Sequence, residues 1–281
     1  VLNAADPIVA RMADSCPGAV TFFAADRRHP VMATHNAKGG RVVFIDGNAI
    51  VCAEGGALVR RIPLDGVPLT RQGTIRFQVE NAMAAVAAAW ALRLDWAAVT
   101  AALGSFASDA GTAPGRFNVF SYRGATLIAD YGHNPDAIQA LVRAVDAMPA
   151  QRRSIVISGA GDRRDRDLRR QTEILGDAFD EVILYQDQCQ RGRADGEVLV
   201  LLREGLAHAR RATTVEEIHG EFLAIDTALA RIRPGDLCLI LIDQVEEALA
   251  HIARRLAEAP IGQLPRAAQP EAEPQRWLAS A

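Results

Sequence analysis

Residues 125–135 read ATLIADYGHNP, and this stretch decides the fold of the second half of the chain. Its first five residues are mostly apolar, as expected of a strand that is buried on both faces. Pro135 suits the first position of a helix, and Asn134 suits the N-cap. The sequence therefore predicts a strand that ends at Asp130 and passes directly into a helix, which is the building unit of a parallel sheet.

The same alternation of strand and helix continues from this corner to about residue 256. A strand at 118–122 precedes the corner and is joined to it by an Arg-Gly turn. We predict later strands at 154–158, 181–185, 212–215 and 236–242, and helices at 135–148, 165–179, 196–206, 217–232 and 244–256. This pattern predicts a mainly parallel, doubly wound, Rossmann-like sheet with right-handed crossovers. Ligands of such sheets bind at the carboxyl ends of the strands.

The first part of the chain has a different pattern. Short strands are predicted at 19–23, 41–45, 49–53 and 57–62, and Asp46-Gly47 is a hairpin signal. The Ala-rich stretch 77–92 predicts a buried helix, and Asp95 is suited to cap a second, shorter helix that runs to about Leu103.

Small and polar residues at 104–114 mark the predicted domain boundary. We therefore divide the chain into a first domain at 1–112, a second at 113–259 and a tail at 260–281. The tail contains further prolines and little periodicity, so it is predicted to be disordered.

Composition excludes several classes of protein. Of the 281 residues, 49% are hydrophobic and 23% are charged, the net charge is -3, and no apolar run reaches membrane-spanning length. We therefore expect a soluble protein with neither nucleic acid nor membrane as a partner. The N-terminus shows neither a signal-peptide pattern nor a start methionine, which suggests a fragment or a processed piece. The four cysteines form no C-x-x-C pair, so we expect no metal site and a reducing, cytoplasmic location.

Two segments offer residues that suit a nucleotide phosphate. Asp130, His133 and Asn134 lie where a strand passes into a helix, and free N–H groups at a helix start favour anions. Arg116, in Pro-Gly-Arg-Phe at 114–117, has the chemistry to clamp a phosphate with two hydrogen bonds. The alternatives are an ordinary capped corner and a surface arginine in a turn. Asn81 has an amide that can pair with an adenine edge, or that nearby backbone satisfies.

Two more loops follow predicted strands and carry both charges. Asp162 and Arg163 lie in a glycine-containing loop that lacks the third glycine of the dinucleotide fingerprint. The loop at 187–197 holds carboxylates suited to a guanidinium and arginines suited to an acidic polymer. These residues are Asp187, Arg191, Arg193 and Glu197. A tight turn and a solvated loop are the competing interpretations. Because the strand ends share one edge of the sheet, the loops together indicate a site.

These segments occur in an order that resembles the Mur ligase superfamily. Asn-Ala-Met-Ala-Ala at 81–85 and Pro-Gly-Arg-Phe at 114–117 precede Asp-Tyr-Gly-His-Asn-Pro at 130–135, whose usual superfamily form is Asp-Tyr-Ala-His-Asn-Pro. The glycine at 132, Gly-Asp-Arg-Arg-Asp at 161–165 and Arg-Gly-Arg-Ala-Asp-Gly-Glu at 191–197 resemble the cyanophycin synthetase family. So does the stretch 2–7, although Ala5 replaces the usual aspartate.

The resemblance implies an ATP-dependent ligase that adds L-arginine to the side-chain carboxyl of aspartate in a branched polymer. It implies that this chain holds the later part of the Mur central domain followed by the C-terminal domain. By the resemblance, Asn81 contacts adenine, and Arg116 and Asp130 approach the phosphates and ribose with His133 and Asn134 beside them. Arg116, Asp130 and His133 are the candidate catalytic residues. The charged loops would bind the amino acid and the polymer, and we expect a homo-oligomer.

The chain has no phosphate-binding loop of the form G-x-x-x-x-G-K-[ST]. Lys38 is the only lysine, and Gly39 follows it. The resemblance implies that this loop and the Mg²⁺ ligands lie upstream, so we predict that these 281 residues alone do not catalyse. Other interpretations stay open: a ligase for peptidoglycan precursors, folate or β-aspartyl-arginine dipeptide, or a non-catalytic binding or oligomerisation module. The broken glycine fingerprint disfavours a Rossmann oxidoreductase.

Overall fold

A five-stranded sheet forms the first part of the structure, a computed structural model that describes residues 1–186 and 190–258. Its strands lie side by side in chain order: β1 (Leu2–Asn3), β2 (Thr21–Asp26), β3 (Arg41–Ile45), β4 (Ala49–Glu54) and β5 (Ala57–Pro63). The first three are parallel, and β4 and β5 add antiparallel. The predicted hairpin at Asp46-Gly47 is confirmed, since it joins β3 to β4.

Four helices accompany this sheet: α1 (Pro7–Arg11), α2 (Pro30–Ala37), α3 (Arg76–Ala91) and α4 (Trp96–Ser105). Asp95 caps α4 as predicted, accepting hydrogen bonds from the N–H groups of Ala97 and Ala98. β1, α1 and α2 were not predicted from the sequence. These elements are short, and α2 buries only Met32, so it has no periodic apolar face to reveal it.

Helix α3 packs one face against the first sheet. Val79, Met83 and Val86 share a hydrophobic cluster with Val43 and Ile50 of the strands. The prediction of a helix buried nearly all round was wrong, because α3 leaves a second face exposed. That face carries Asn81 and Ala85, and it borders the cleft described below.

The second sheet has the strand order β10-β9-β8-β11-β7-β6. Its strands are β6 (Asn118–Tyr122), β7 (Ala125–Asp130), β8 (Arg153–Ile157), β9 (Glu181–Gln186), β10 (Thr214–His219) and β11 (Leu237–Leu241). Only β6 runs antiparallel to its neighbour, and all other described pairs are parallel. The predicted mainly parallel sheet is therefore confirmed.

Helices cover both faces of the second sheet, as predicted. They are α5 (Pro135–Asp146), α6 (Asp165–Gly176), α7 (Glu197–Gly205), α8 (Glu221–Arg231) and α9 (Val245–Glu258). The first three share one apolar cluster, and α8 and α9 share the other. Strand β11 enters between β7 and β8, but its helix packs on the opposite face from theirs. In sheets of this kind, ligands bind at such a reversal, beside the carboxyl ends of the strands.

The prediction for residues 212–232 was wrong in detail. Strand β10 continues to His219, and α8 begins at Glu221 rather than at Glu217. Glu216 and Glu217 are charged like a first helical turn, but here they belong to the edge strand and pair with Arg231 and Arg203. An edge strand tolerates such residues because one of its sides faces solvent.

The two parts of the chain touch at the start of α3. Phe77 meets Phe117 edge to face, with ring centroids 5.5 Å apart. Ile75 is fully buried in the cluster that also contains Phe117 and Ile138.

The two sheets lie on either side of the boundary predicted at residue 112. The tail at 260–281, predicted to be disordered, lies outside the described residues. In the part of the chain that is described, no helix has the length and apolar character that crossing a membrane requires.

Gly205 is predicted to be intolerant of a side chain because α6 and α7 approach closely there. A methyl group would lie 2.2 Å from the carbonyl oxygen of Arg169 and from Oγ1 of Thr172. We expect Gly205→Ala to lower the free energy of unfolding by about 1–3 kcal/mol, because overpacking outweighs the gain in helix propensity. Urea denaturation measures this change.

Gly104 provides the matched control, since it is also near the end of a helix. A methyl group there would meet the carbonyl oxygen of Gly66 at 3.5 Å, an ordinary contact. Gly104→Ala should therefore be neutral or stabilising. Equal destabilisation by both changes would contradict this account of the α6–α7 packing.

Candidate functional site

The corner between β7 and α5 is organised by the buried carboxylate of Asp130. Its Oδ2 accepts a hydrogen bond of 2.8 Å from the N–H of Phe117, and the N–H of Gly132 also donates to this side chain. Burial raises the pKa of Asp130 to about 6, although these two N–H donors and nearby Arg116 act in the opposite direction. Asp130 therefore connects the loop before β6 to the corner after β7.

His133 is held in one orientation at the same corner. Its Nδ1 lies 2.7 Å from the carbonyl oxygen of Tyr131, so this nitrogen carries the proton that is donated. Nε2 is buried and has no hydrogen-bond partner among the described residues, and it lies 3.8 Å from Oδ1 of Asp243. Burial lowers the pKa of His133, which favours the neutral imidazole. The ring thus presents an unused acceptor at Nε2.

Asn118 shapes the loop that carries Arg116. It is fully buried, its Oδ1 accepts from the N–H of Gly115 at 2.7 Å, and its Nδ2 donates to the carbonyl oxygen of Ala113 at 2.9 Å. The guanidinium carbon of Arg116 lies 5.9 Å from the centre of the Tyr131 ring. Asn118 was not predicted as a site residue. An amide at the start of a buried strand is nevertheless a signal, because a buried amide needs hydrogen-bond partners.

A cleft of about 1040 Å³ separates this corner from α3 and α4. Asn81, on the exposed face of α3, lines one side, and its Nδ2 donates to Oε1 of Gln78 at 3.0 Å. The opposite side is formed by the β7–α5 corner and nearby loops. The predicted residues that line the cleft are Asn81, Arg116, Asp130, His133, Asn134 and Arg163. Asn134 also caps α5, since its Oδ1 accepts from the N–H of Ala137.

Apolar side chains line the remainder of the cleft. They come from α3, α4 and α5 and include Ala85, Leu103, Phe106, Ala140 and Leu141. A cleft with a few polar groups and a mainly apolar lining suits a ligand that has both a charged part and a flat or apolar part.

Of the other predicted site residues that the structure describes, none lines this cleft: these are Asp162, Arg191, Arg193 and Glu197. Arg193 donates to the carbonyl oxygens of Gly161 (2.7 Å) and Arg163 (2.6 Å), to Asp165 (2.8 Å) and to Glu197 (2.6 Å). It therefore braces the loops that follow β8 and β9 against each other. Glu197 also accepts from the N–H of Ala194. Asp187 lies outside the described residues, and the substrate-binding roles of all these residues stay predictions.

Asp243, which was not predicted from the sequence, lies in the turn after β11. Its Oδ1 accepts a hydrogen bond of 2.9 Å from Nη2 of Arg191. Because β11 enters the sheet between β7 and β8, this carboxylate reaches the corner that bears His133. The signal was present, since Asp243 closely follows an apolar strand and Asp130 ends one, but only the strand order shows that the two ends are neighbours.

A magnesium ion, which the resemblance implies, does not fit the described residues by themselves. Within residues 1–186 and 190–258, no three His, Cys, Asp or Glu side chains are grouped so that they could hold a metal ion. Asp130, a carboxylate that lines the cleft, already accepts hydrogen bonds from two backbone N–H groups. Its carboxylate therefore already holds the Arg116 loop in place.

Comparison with known proteins confirms the resemblance to Mur ligases and cyanophycin synthetases. Residues 115–241 match the family described as Mur ligase, glutamate ligase domain. The chain is 32% identical over 255 residues to the cyanophycin synthetase of Crocosphaera subtropica, covering 91% of this chain and 29% of that protein. It is 32% identical over 262 residues to the cyanophycin synthetase of Synechocystis sp., covering 93% and 30%. The chain thus spans less than a third of these relatives.

Solved structures share the fold. A folylpolyglutamate synthase from Thermotoga maritima superimposes with a TM-score of 0.54 and 17% identity, covering 93% of this chain and 61% of the other. E. coli FolC in complex with DHPP and ADP gives a TM-score of 0.55 and 18% identity, covering 84% and 53%. The second sheet and its helices have the fold of the Mur ligase C-terminal domain.

Asp130 is expected to make stability fall with rising pH in a defined window. Its pKa of about 6 exceeds the roughly 3.9 of an unfolded chain, so the folded state binds the extra proton between these values. The resulting stability is complete below about pH 4 and is lost as the pH rises through about 6. Asp130→Asn removes this titration. As the pH rises through the window, the free energy of unfolding of the variant minus that of the wild type should therefore increase by up to about 1.4 kcal/mol per pH unit.

The measurement is urea denaturation of both proteins from pH 4 to pH 7. The lowered pKa of His133 acts with the opposite sign, but it is common to both proteins and largely cancels in their difference. Asp136→Asn, at an exposed position of α5, controls for the loss of one carboxylate. A constant difference between Asp130→Asn and wild type across the range would contradict the prediction.

Proposed function

We propose that this chain is part of an ATP-dependent ligase that adds L-arginine to a side-chain carboxyl of aspartate in a cyanophycin-type polymer. One observation carries the proposal: a single cleft brings Asn81 of α3 opposite Arg116, Asp130 and His133 of the second sheet. One nucleotide could therefore touch both parts of the chain. The similarity to cyanophycin synthetases over 91–93% of the chain supports this choice among Mur-type ligases.

Each residue of the cleft has a role that suits its geometry. The amide of Asn81 would pair with the adenine, while Arg116, exposed at the rim, would neutralise phosphate charge. The start of α5, capped by Asn134, adds N–H groups and a favourable dipole for an anion. Asp130 fixes the loop that carries Arg116. It would therefore act on the nucleotide both by placing Arg116 at the phosphate and by contacting the phosphate or ribose itself.

The reaction proceeds in two steps. The terminal phosphoryl group of ATP is transferred to a carboxylate oxygen, which gives an acyl phosphate and ADP. The α-amine of arginine then attacks the acyl carbon, and the tetrahedral intermediate collapses to an amide as phosphate leaves. The amine must lose a proton during this attack. A phosphate oxygen can take that proton, while the neutral His133, whose Nε2 has no hydrogen-bond partner among the described residues, would position the substrate beside the cleft.

This chain lacks a phosphate-binding loop of the Walker type, so the proposal requires that other parts of a longer protein supply it. Catalysis would then depend on closure of the second sheet's corner over a nucleotide held elsewhere. Positioning and charge neutralisation would provide most of the rate enhancement. The 281 residues by themselves should show no ATP-dependent amide formation.

The decisive test uses the protein in its full encoded length, with ATP, L-arginine and an aspartate-containing primer. We expect Arg116→Ala to reduce kcat/KM at least about tenfold, because a charge-assisted hydrogen bond contributes about 1.5–3 kcal/mol. Asn81→Ala should raise KM for ATP without a matching fall in kcat. Release of phosphate and formation of the amide are both measured.

Arg170→Ala is the matched control, since Arg170 pairs with Glu173 on the exposed side of α6 and does not line the cleft. This variant should keep wild-type kinetics. Full activity of Arg116→Ala would contradict the proposal, and so would ligation by the isolated chain. Equal use of several amino acids in place of arginine would retain the ligase but exclude arginine as its specific substrate.

A further inference from the structure

The guanidinium of Arg191 lies among acidic and aromatic partners beside the cleft. Its Nη2 donates to Oδ1 of Asp243 at 2.9 Å, and its Nη1 lies 3.7 Å from Oδ1 of Asp162. The side chain of Tyr131 is a further hydrogen-bond partner, and together these groups raise the pKa of Arg191. We call Asp162, Asp243 and Tyr131 the guanidinium cage.

One acceptor beside the cage is left unused while Arg191 fills it. Nε2 of His133 lies 3.8 Å from the same Asp243 oxygen that binds Arg191, and it has no hydrogen-bond partner among the described residues. His133 is 6% exposed, so water does not readily satisfy this nitrogen. A cation whose donors reach both atoms would fit the acceptors more completely than Arg191 does.

The acceptors of the cage are fixed more firmly than the arginine that fills it. The N–H groups of Asp243 and Gln244 donate to the two oxygens of Glu221 at 2.9 and 3.1 Å, and Glu221 is buried. Arg191, by contrast, lies in an exposed loop with a φ of 49°, directly before Gly192. A left-handed backbone at a residue other than glycine is strained, so the loop gains by relaxing.

We propose that the guanidinium cage is the site for the guanidinium of the incoming amino acid, and that Arg191 occupies it only until substrate arrives. This inference rests on the proposed function and identifies the carboxylates that select arginine. A guanidinium carries five N–H donors in one plane, enough to bind Asp243 and His133 Nε2 together. The substrate replaces Arg191 by an exchange of like groups, and no bond is made or broken.

If Arg191 occupies the site in place of the substrate, its removal should strengthen substrate binding. When a site is open for only a fraction of the time, its apparent Kd equals the intrinsic Kd divided by that fraction. Deletion of the internal ligand keeps the site open and so removes this penalty. Arg191→Ala should therefore bind L-arginine and methylguanidine several-fold more tightly than wild type. Asp243→Asn should weaken both by about tenfold or more, since it removes a charged acceptor. Isothermal titration calorimetry on the 281-residue chain measures each affinity.

Several variants keep the test decisive. Asp162→Asn, at an exposed position that should not affect folding, is expected to cause a smaller loss than Asp243→Asn. Arg170→Ala controls for the loss of any surface arginine and should change nothing. Weaker binding by Arg191→Ala would overturn the proposal, because Arg191 would then be a ligand or a brace. Unchanged binding by Asp243→Asn would also overturn it. The same holds if no variant, Arg191→Ala included, binds L-arginine or methylguanidine.

Methylguanidine lacks an α-amine and a carboxylate, so it reports on the cage alone. If L-alanine binds as L-arginine does while methylguanidine does not, the site receives an α-ammonium group and the proposal fails. The result is independent of ATP. If Arg191→Ala binds methylguanidine more tightly but the full-length protein does not ligate, the cage is upheld and the ligase is refuted. If the full-length protein ligates but Arg191→Ala does not bind methylguanidine more tightly, the ligase is upheld and the cage is refuted.

Discussion

The carboxylate of Asp130 is the contact on which the rest of the site depends. By accepting hydrogen bonds from the N–H groups of Phe117 and Gly132, it joins two loops that are separated by a complete hairpin. A further bond from the N–H of Tyr131 to the carbonyl oxygen of Gly115 reinforces the join. The loop that carries Arg116 and the start of α5 are therefore joined into one wall of the cleft. This arrangement buries a carboxylate, and the raised pKa of Asp130 records its cost.

The order of the strands determines which side chains meet this wall. Because β11 returns to the middle of the sheet, the carboxylate of Asp243 lies beside a corner more than a hundred residues earlier in the chain. Glu221 then holds the turn that carries Asp243. The loops that follow β7, β8, β9 and β11 thus meet at one edge of the sheet, and a change in any crossover would separate these groups.

Three arginines near the site differ in what their guanidinium groups do. Arg193 is consumed by four partners within the protein and braces two loops. Arg191 is held by acidic side chains beside an unused acceptor of His133. Arg116 extends from an exposed position into the cleft. The same residue type therefore braces loops at Arg193 and, by our proposals, holds the substrate site at Arg191 and neutralises phosphate at Arg116, according to the partners that the fold supplies.

The sequence by itself determined the local features, since these depend on neighbouring residues. The strand that ends at Asp130, the cap at Asn134, the hairpin at Asp46-Gly47 and the alternating second half were all predicted from short-range patterns. The order of motifs also identified the relatives. Charge misled the prediction at Glu217, because whether a strand is at the edge of a sheet is not a local property.

Only the tertiary structure decided which of these features meet. Asn81 faces Arg116 because α3 packs with one face on the first sheet and meets the second through Phe77 and Phe117. Asp243 joins His133 because of a strand crossover, and Arg193 is withdrawn from solvent by loops that follow two different strands. Contacts between residues far apart in the chain depend on how whole elements pack, and no single stretch of sequence encodes that packing.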